Sequence, residues 1–280
     1  SGSCAIFPMA EGLDPPFDRP DVGFNALPGW TWVGTYGGHF LQANLLAAFE
    51  HGFFTRLWHG REPVELAGYL SAGISVHRPK QVHSALVLPA SAAVGEPWPE
   101  ADGLVSDGGG QSLWVCGADC TPVLIADPAS GRVAACHAGW RGVAGRILPA
   151  AIAQLEAAGS RRSDLLVAFG PAVSGARYQV ERMVSEQLAE SLRPPGEAEP
   201  GGAGALEELI ACGAVRPDPE PGRDRLDIRA ATVCQLGHEG IAPERIAVCP
   251  LCTVEAEELF HSWRRDHVKA VQWSGIVAQS

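Results

Sequence analysis

Short apolar runs separated by turn-forming residues recur along the whole chain, and most of them are too short to be helices. Strand-like runs fall at 30–33, 74–76, 85–88, 113–116, 123–126, 133–136, 165–169, 246–249 and 270–273. A different period appears after residue 142. There Val143, Ile147, Ala150, Ala151 and Leu155 share one helical face, which predicts a helix over 143–156, with further helical stretches at 183–192 and 228–236. Strands joined by turns, with helices interspersed rather than strictly alternating, predict an α+β fold over a doubly wound parallel sheet. Residues 1–50 are rich in Gly, Pro and aromatics and form a poorly defined N-terminal part, although Trp30-Thr31-Trp32-Val33 reads as a strand. The proline- and glycine-rich stretch 193–225 reads as a flexible insertion with a short helix at 206–212 inside it.

Composition narrows the function classes. With 280 residues, 46% of them hydrophobic, the chain can bury a sizeable core, and it is read as one domain over 1–280. Its 32 acidic and 21 basic residues leave a net charge of −11, a surface that repels phosphodiester backbones, so nucleic acid is not an expected partner. No window approaches a membrane span and no signal-peptide pattern opens the chain, so neither membrane insertion nor export is expected. Eight cysteines without regular spacing fit reduced thiols in a cytoplasm better than a disulfide scaffold.

The stretch 112–142 concentrates the chemistry. The run 113–116 enters the turn Gly117-Ala118-Asp119, and the run 133–136 delivers His137 into Ala138-Gly139-Trp140-Arg141-Gly142. Asp127-Pro128-Ala129-Ser130-Gly131 between them is turn chemistry, so a hairpin is expected to bring the strand ends, and with them Cys120 and His137, together. A third group of suitable chemistry, His83, lies in Gln81-Val82-His83-Ser84. Two imidazoles and a thiolate from separate loops would leave one tetrahedral position of a zinc ion open, the arrangement of catalytic rather than structural sites. Spacing alone leaves this level with the plainer reading of a buried thiol and two hydrogen-bonded histidines. Cys136 neighbours His137 but falls on the opposite face of a strand, and Cys249-Pro250-Leu251-Cys252 is a lone CxxC best read as structural.

The ordered series Gln81-Val82-His83, Ala101-Asp102-Gly103-Leu104-Val105, Ala118-Asp119-Cys120-Thr121-Pro122 and His137-Ala138-Gly139-Trp140-Arg141-Gly142 resembles the YfiH/YlmD-type laccase-domain family. So do Gly170-Pro171, Tyr178-Gln179-Val180, Leu226-Asp227-Ile228, Cys252-Thr253 and Phe260-His261-Ser262-Trp263-Arg264-Arg265 downstream. That resemblance implies a single catalytic domain of mixed β-sheets packed face to face with flanking helices. It also implies a metal site of His83, Cys120 and His137, holding zinc or alternatively copper. The implied activity is phosphorolysis of adenosine, inosine and methylthioadenosine with deamination of adenosine, so a purine nucleoside and phosphate are the expected small-molecule partners. The chain departs from the family pattern at Leu57-Trp58-His59-Gly60, Ala172-Val173, Thr232 and Val268-Lys269-Ala270.

Phosphorolysis needs an anion cradle beside the metal. Arg141 at the start of the predicted helix is the first candidate and is counted with the catalytic set of His83, Cys120 and His137; Arg56 is the second. Trp140 is a candidate stacking surface for a purine, and Asp119 or Asp102 a candidate carboxylate. Three other readings stay open. One is a copper-dependent polyphenol oxidase, although nine scattered histidines are few for several coppers. Another is a thiol hydrolase or deamidase using Cys120 activated by His137. The last is a non-enzymatic, zinc-stabilised binding protein.

Overall fold

A computed structural model describes residues 19–20, 27–197 and 204–280. Two large sheets form its centre. The first runs, edge to edge, Arg19–Pro20, Trp30–Thr35, Gly38–Ala43, His51–Phe54, Gln272–Val277, Gln111–Gly117 and Ser75–His77; only the last pairing is parallel. The second runs Ile246–Val248, Leu166–Phe169, Thr121–Ala126, Val133–Ala138, Gly103–Val105 and Val87–Pro89, antiparallel inside and parallel at both edges. The fold is α+β with mixed sheets, as expected.

Strand alternation explains how the layers stack. Leu113 and Val115 face Leu124, Ala126, Val133 and Ala135 of the other sheet in one buried cluster, so the two sheets pack face to face. The alternate residues Val123, Ile125, Ala134 and Cys136 face the opposite way. They bury Ile147, Leu148, Ala151, Ile152 and Leu155 of one helix and Leu188 of another. Trp114 points to the outer side of the first sheet, where it meets Phe54, Trp58, Leu66 and Leu70 under the helix Pro63–Leu70. The result is four layers, helix, sheet, sheet and helices. The small third sheet of Gln179–Glu181, Arg223–Leu226 and Val215–Pro217 sits with the helices Arg182–Glu190, Ala205–Ala211 and Ile228–His238. The insertion expected at 193–225 thus contains one helix and parts of this sheet, while 198–203 lie outside the described residues.

Two local expectations change. The hairpin around Asp127–Gly131 joins Thr121–Ala126 to Val133–Ala138, whereas Gln111–Gly117 belongs to the other sheet. Cys120 therefore sits where the chain crosses from one sheet to the next. The helix predicted over 143–156 is two helices, Trp140–Ala144 and Ile147–Ala157, separated by Arg146 at φ 63°. Pro149 supplies the reason. Within a continuous helix its ring would strike the carbonyl of Gly145 four residues back, whereas in the first turn of a new helix its missing N–H costs nothing.

His51 gives the fold a pH limit. Its fully buried ring accepts a hydrogen bond from the Ala43 N–H at 3.0 Å and shares its other nitrogen with the Phe49 carbonyl at 2.8 Å. Burial lowers its pKa from 6.5 to about 4, against the bond to Phe49, which raises it. The unfolded chain therefore binds this proton more readily. Stability is full above pH 6.5 and falls as pH drops toward 4, by about 3 kcal/mol for this group. Denaturant midpoints between pH 7.5 and 4 should show that loss, and His51→Gln should flatten it; an unchanged slope would assign the acid limit elsewhere.

Candidate metal centre

Three segments meet at the end of the second sheet. Thr121 and Ala138 are paired across the hairpin, and this register sets Cys120, just before the first strand, beside His137 near the end of the second. His83 comes from the loop before Val87–Pro89. Its ring lies edge-on to His137 with centroids 5.1 Å apart, and one ligand atom each from His83, Cys120 and His137 lie within 4.8 Å of one another. His137 is buried, Cys120 half-buried and His83 exposed, so the group opens to solvent on the His83 side. Gly139 is required by the approach, because a Cβ there would stand 2.8 Å from the Cys120 sulfur.

Asp102 organises two of the three. It is completely buried at the start of Gly103–Val105, and its carboxylate accepts five hydrogen bonds. Oδ1 takes the Val82 N–H, the Ser84 N–H and the Ser84 hydroxyl at 2.9–3.0 Å; Oδ2 takes the His83 N–H at 3.0 Å and His137 Nδ1 at 2.8 Å. One carboxylate thus shapes the loop that carries His83 and orients the His137 ring. With Nδ1 committed, Nε2 is the nitrogen His137 presents to the group. Gln81 pins the same loop to the first sheet through paired bonds with the Cys116 backbone at 2.7 and 2.8 Å.

Asp119 makes a second clip. It adopts φ 108°, a conformation tolerated by Asp better than by bulkier residues. Its carboxylate accepts the Thr253 hydroxyl and the Arg264 N–H, both at 2.7 Å, and its carbonyl takes the Val173 N–H. Three distant segments are thereby tied to the Cys120 turn. His83 is also left-handed, at φ 60°, and the Asp102 bonds around it hold that strain.

The electrostatics favour a thiolate. Burial alone would raise the Cys120 pKa, but hydrogen bonds and charge from His137 and His83 outweigh it and bring it down to about 6. For His137 burial acts downward, and the bonds to Asp102 and Cys120 prevail, raising it to about 9. Asp102 is held at about 2 by the His137 and loop bonds against its own burial. The other thiols nearby behave oppositely: burial pushes Cys116 and Cys136 up to about 12. Cys136 packs among the helices on the face away from His137, as alternation predicts.

The remaining expected residues separate. Arg141 is exposed at the start of the short helix Trp140–Ala144, its guanidinium 4.5 Å from the Trp140 ring centroid, and the half-buried Trp140 packs on the core. Arg56 lies in another pocket, lined with His59, Glu257, His261 and Asp266 but by none of the three ligand candidates. Two residues without an expected role stand beside the group. Tyr178, under the Arg264 guanidinium at 4.6 Å, is pushed up to about 12 by burial and then by the Cys120 charge, with Arg264 and Arg141 opposing. Both lie within recognised sequence stretches, yet no spacing rule pairs positions 178 and 264. Cys249 and Cys252 are buried thiols, and the Arg229 guanidinium between them and Gly170 donates to the carbonyls of Cys249 and Leu251.

Fold and site together define a laccase-type domain carrying a His-Cys-His group able to hold a metal ion. The chain belongs to the family described as multi-copper polyphenol oxidoreductase laccase, which it matches over residues 64–279, and within it to the YfiH/YlmD type. It is 43% identical over 262 residues, 89% of this chain and 97% of the relative, to a protein named purine nucleoside phosphorylase from Synechocystis sp.. A second purine nucleoside phosphorylase, from Streptomyces coelicolor, is 34% identical over 66% of this chain and 68% of its own length. Among solved structures, Bacillus licheniformis hypothetical protein YfiH superposes with a TM-score of 0.71 at 24% identity, covering 85% of this chain and 96% of its own. YlmD from Geobacillus stearothermophilus does so at 0.66 and 24%, covering 95% and 100%. No described helix is long and apolar enough to cross a membrane.

Proposed function

We propose that this chain is a zinc-dependent purine nucleoside phosphorylase acting on adenosine, inosine and methylthioadenosine, with adenosine deaminase activity. The observation that carries the reading is the convergence of His83, Cys120 and His137, with ligand atoms within 4.8 Å of one another and one side open. A thiolate with two imidazoles suits zinc, with copper as the alternative, and does not suit magnesium or calcium. Bound there, zinc would supply Lewis acidity. The names of the relatives support the reaction class.

The chain's own residues have assignable tasks. Asp102 keeps the proton on His137 Nδ1, so that the second nitrogen stays available. Arg141 offers a guanidinium to phosphate from the rim of the group, and Trp140 fixes that guanidinium from below. Trp140, covered by Arg141 on one side and packed on the core, serves the guanidinium better than it would serve a purine. Asp119 acts by holding the Cys120 turn. Phosphorolysis is the better supported of the two reactions, since Asp102 and Asp119, the candidate proton-shuttling carboxylates for deamination, are both occupied by partners.

Incubation of metal-analysed protein with adenosine tests the proposal directly. Adenine and ribose phosphate should appear only when phosphate is present, with inosine as a minor product and zinc exceeding copper in the protein. Absence of phosphate-dependent base release would overturn it. A second reading has its own support in the Asp102–His137–Cys120 relay, the arrangement of a thiol hydrolase. Activity that survives a chelator and dies on alkylation of Cys120 would favour that reading.

A further inference from the structure

The pocket that holds Arg56 has a composition the metal centre does not explain. It lies between the turn Arg56–Trp58 and the segment 257–270, has a volume of about 470 Å³, and is lined by Arg56, His59, Glu257, His261, Ser262 and Asp266 among others. That volume is in the range of sites for small organic ligands. The backbone anchors it, with the Arg56 N–H bonded to the Leu259 carbonyl and His261 held at both backbone groups by the Gln272 amide.

Its cationic side is under-committed. The Arg56 guanidinium donates only to the Glu257 carbonyl at 2.8 Å and has no carboxylate partner among the described residues, whereas Asp266 is already paired with Arg265. His261 is 8% exposed, and its Nε2 is buried without a hydrogen-bond partner among the described residues. A buried polar atom left unpaired costs about 1–3 kcal/mol, so a lining nitrogen of this kind marks a place for a ligand atom. The His59 ring stands edge-on to His261 with centroids 5.1 Å apart. Burial first, and then the neighbouring Arg56, His59 and Arg265, lower the His261 pKa to about 4, against Asp266.

We infer that Arg56, His59 and His261 bind a phosphate-type oxyanion, free or as the phosphate group of a small monoester, in a site separate from the His83–Cys120–His137 group. Guanidinium and imidazole N–H groups supply charge-assisted bonds to the oxygens, and the remaining volume accommodates an organic substituent of sugar size. Glu257 is the opposing charge in the wall and limits affinity. The inference does not rest on phosphorolysis at the metal centre.

Calorimetric titration of the full chain with inorganic phosphate and, separately, with ribose 5-phosphate tests it. Saturable binding is expected, weakened about tenfold or more in Arg56→Gln and several-fold in His59→Ala, a fold-safe change at an exposed position. Glu257→Gln should tighten binding, and in Cys120→Ala, which removes the metal centre, the Arg56-dependent binding should persist. Tighter binding of the sugar phosphate would identify the monoester as the ligand, and equal binding the free anion. Absence of saturation by either ligand up to about 10 mM would overturn the site. So would retention of wild-type affinity in both Arg56→Gln and His59→Ala, and so would binding lost in Cys120→Ala and kept in Arg56→Gln, which would move the anion to the metal centre.

Discussion

Cys120→Ala is expected to abolish stoichiometric metal and to lower phosphate-dependent base release by more than about a hundredfold, beyond what loss of a supporting partner costs. The sulfur is the one anionic donor of the group. Without it two neutral imidazoles remain, one exposed on a loop, and such a pair holds zinc weakly. Loss of fold does not confuse the result, because Cys120 is half-buried, in a turn that Asp119 ties down through Thr253 and Arg264. Metal content, thermal midpoint and base release measured on one preparation decide the matter. Native-rate release by the metal-free variant would remove the metal from the reaction. Activity lost in Cys120→Ala but present in a wild type that never carried metal would instead point to the thiol reading.

The parts of this fold legible in the sequence are those set by local alternation. Thr121–Ala126 and Val133–Ala138 read as strands because their apolar residues are short runs bounded by Asp127-Pro128 and by glycines, and the hairpin register then follows from the turn. Alternation assigns a face but not a partner. Nothing in the run 113–116 says that it pairs with Gln272–Val277, about 160 residues later, so the crossing between sheets at Cys120 was hidden. The break at Gly145-Arg146 was visible in Pro149, but the apolar stripe through Val143, Ile147 and Ala151 spans both helices because both pack on the same sheet. The three ligand candidates were recognised by residue type and motif. Their supports Gln81 and Asp102 lie in the same motifs, Asp102 as a candidate carboxylate, but their task of holding the ligands was not legible, since burial and tertiary hydrogen bonding decide it. Arg56 shows the converse. Its residue type made it a candidate for anion binding, but its place was not legible, because the segment 257–270 that completes its pocket is remote in sequence.

Asp102→Asn tests the deepest of these supports with almost no change of shape. The carboxylate faces donors only: three backbone N–H groups, one hydroxyl and one imidazole N–H. An amide offers one acceptor oxygen and, in place of the other, a donor NH₂. If its oxygen serves Val82 and Ser84, its NH₂ meets the His83 N–H and His137 Nδ1; His137 then accepts at Nδ1 and carries its proton on Nε2, the nitrogen the metal centre needs. If the amide turns over, the Ser84 side of the loop loses its acceptor and His83 loses the bonds that hold φ 60°. Either way a buried donor is stranded, at a cost of about 1–3 kcal/mol, and metal affinity should fall roughly 10–100-fold. Competition with a chromogenic chelator reads the affinity, and thermal unfolding with and without zinc reads the stability. The isosteric Asp119→Asn, whose carboxylate contacts neither histidine, should lower stability but spare affinity. An Asp102→Asn protein with wild-type zinc affinity would mean that the His137 tautomer is set by the metal itself, and that the buried carboxylate serves only the loop.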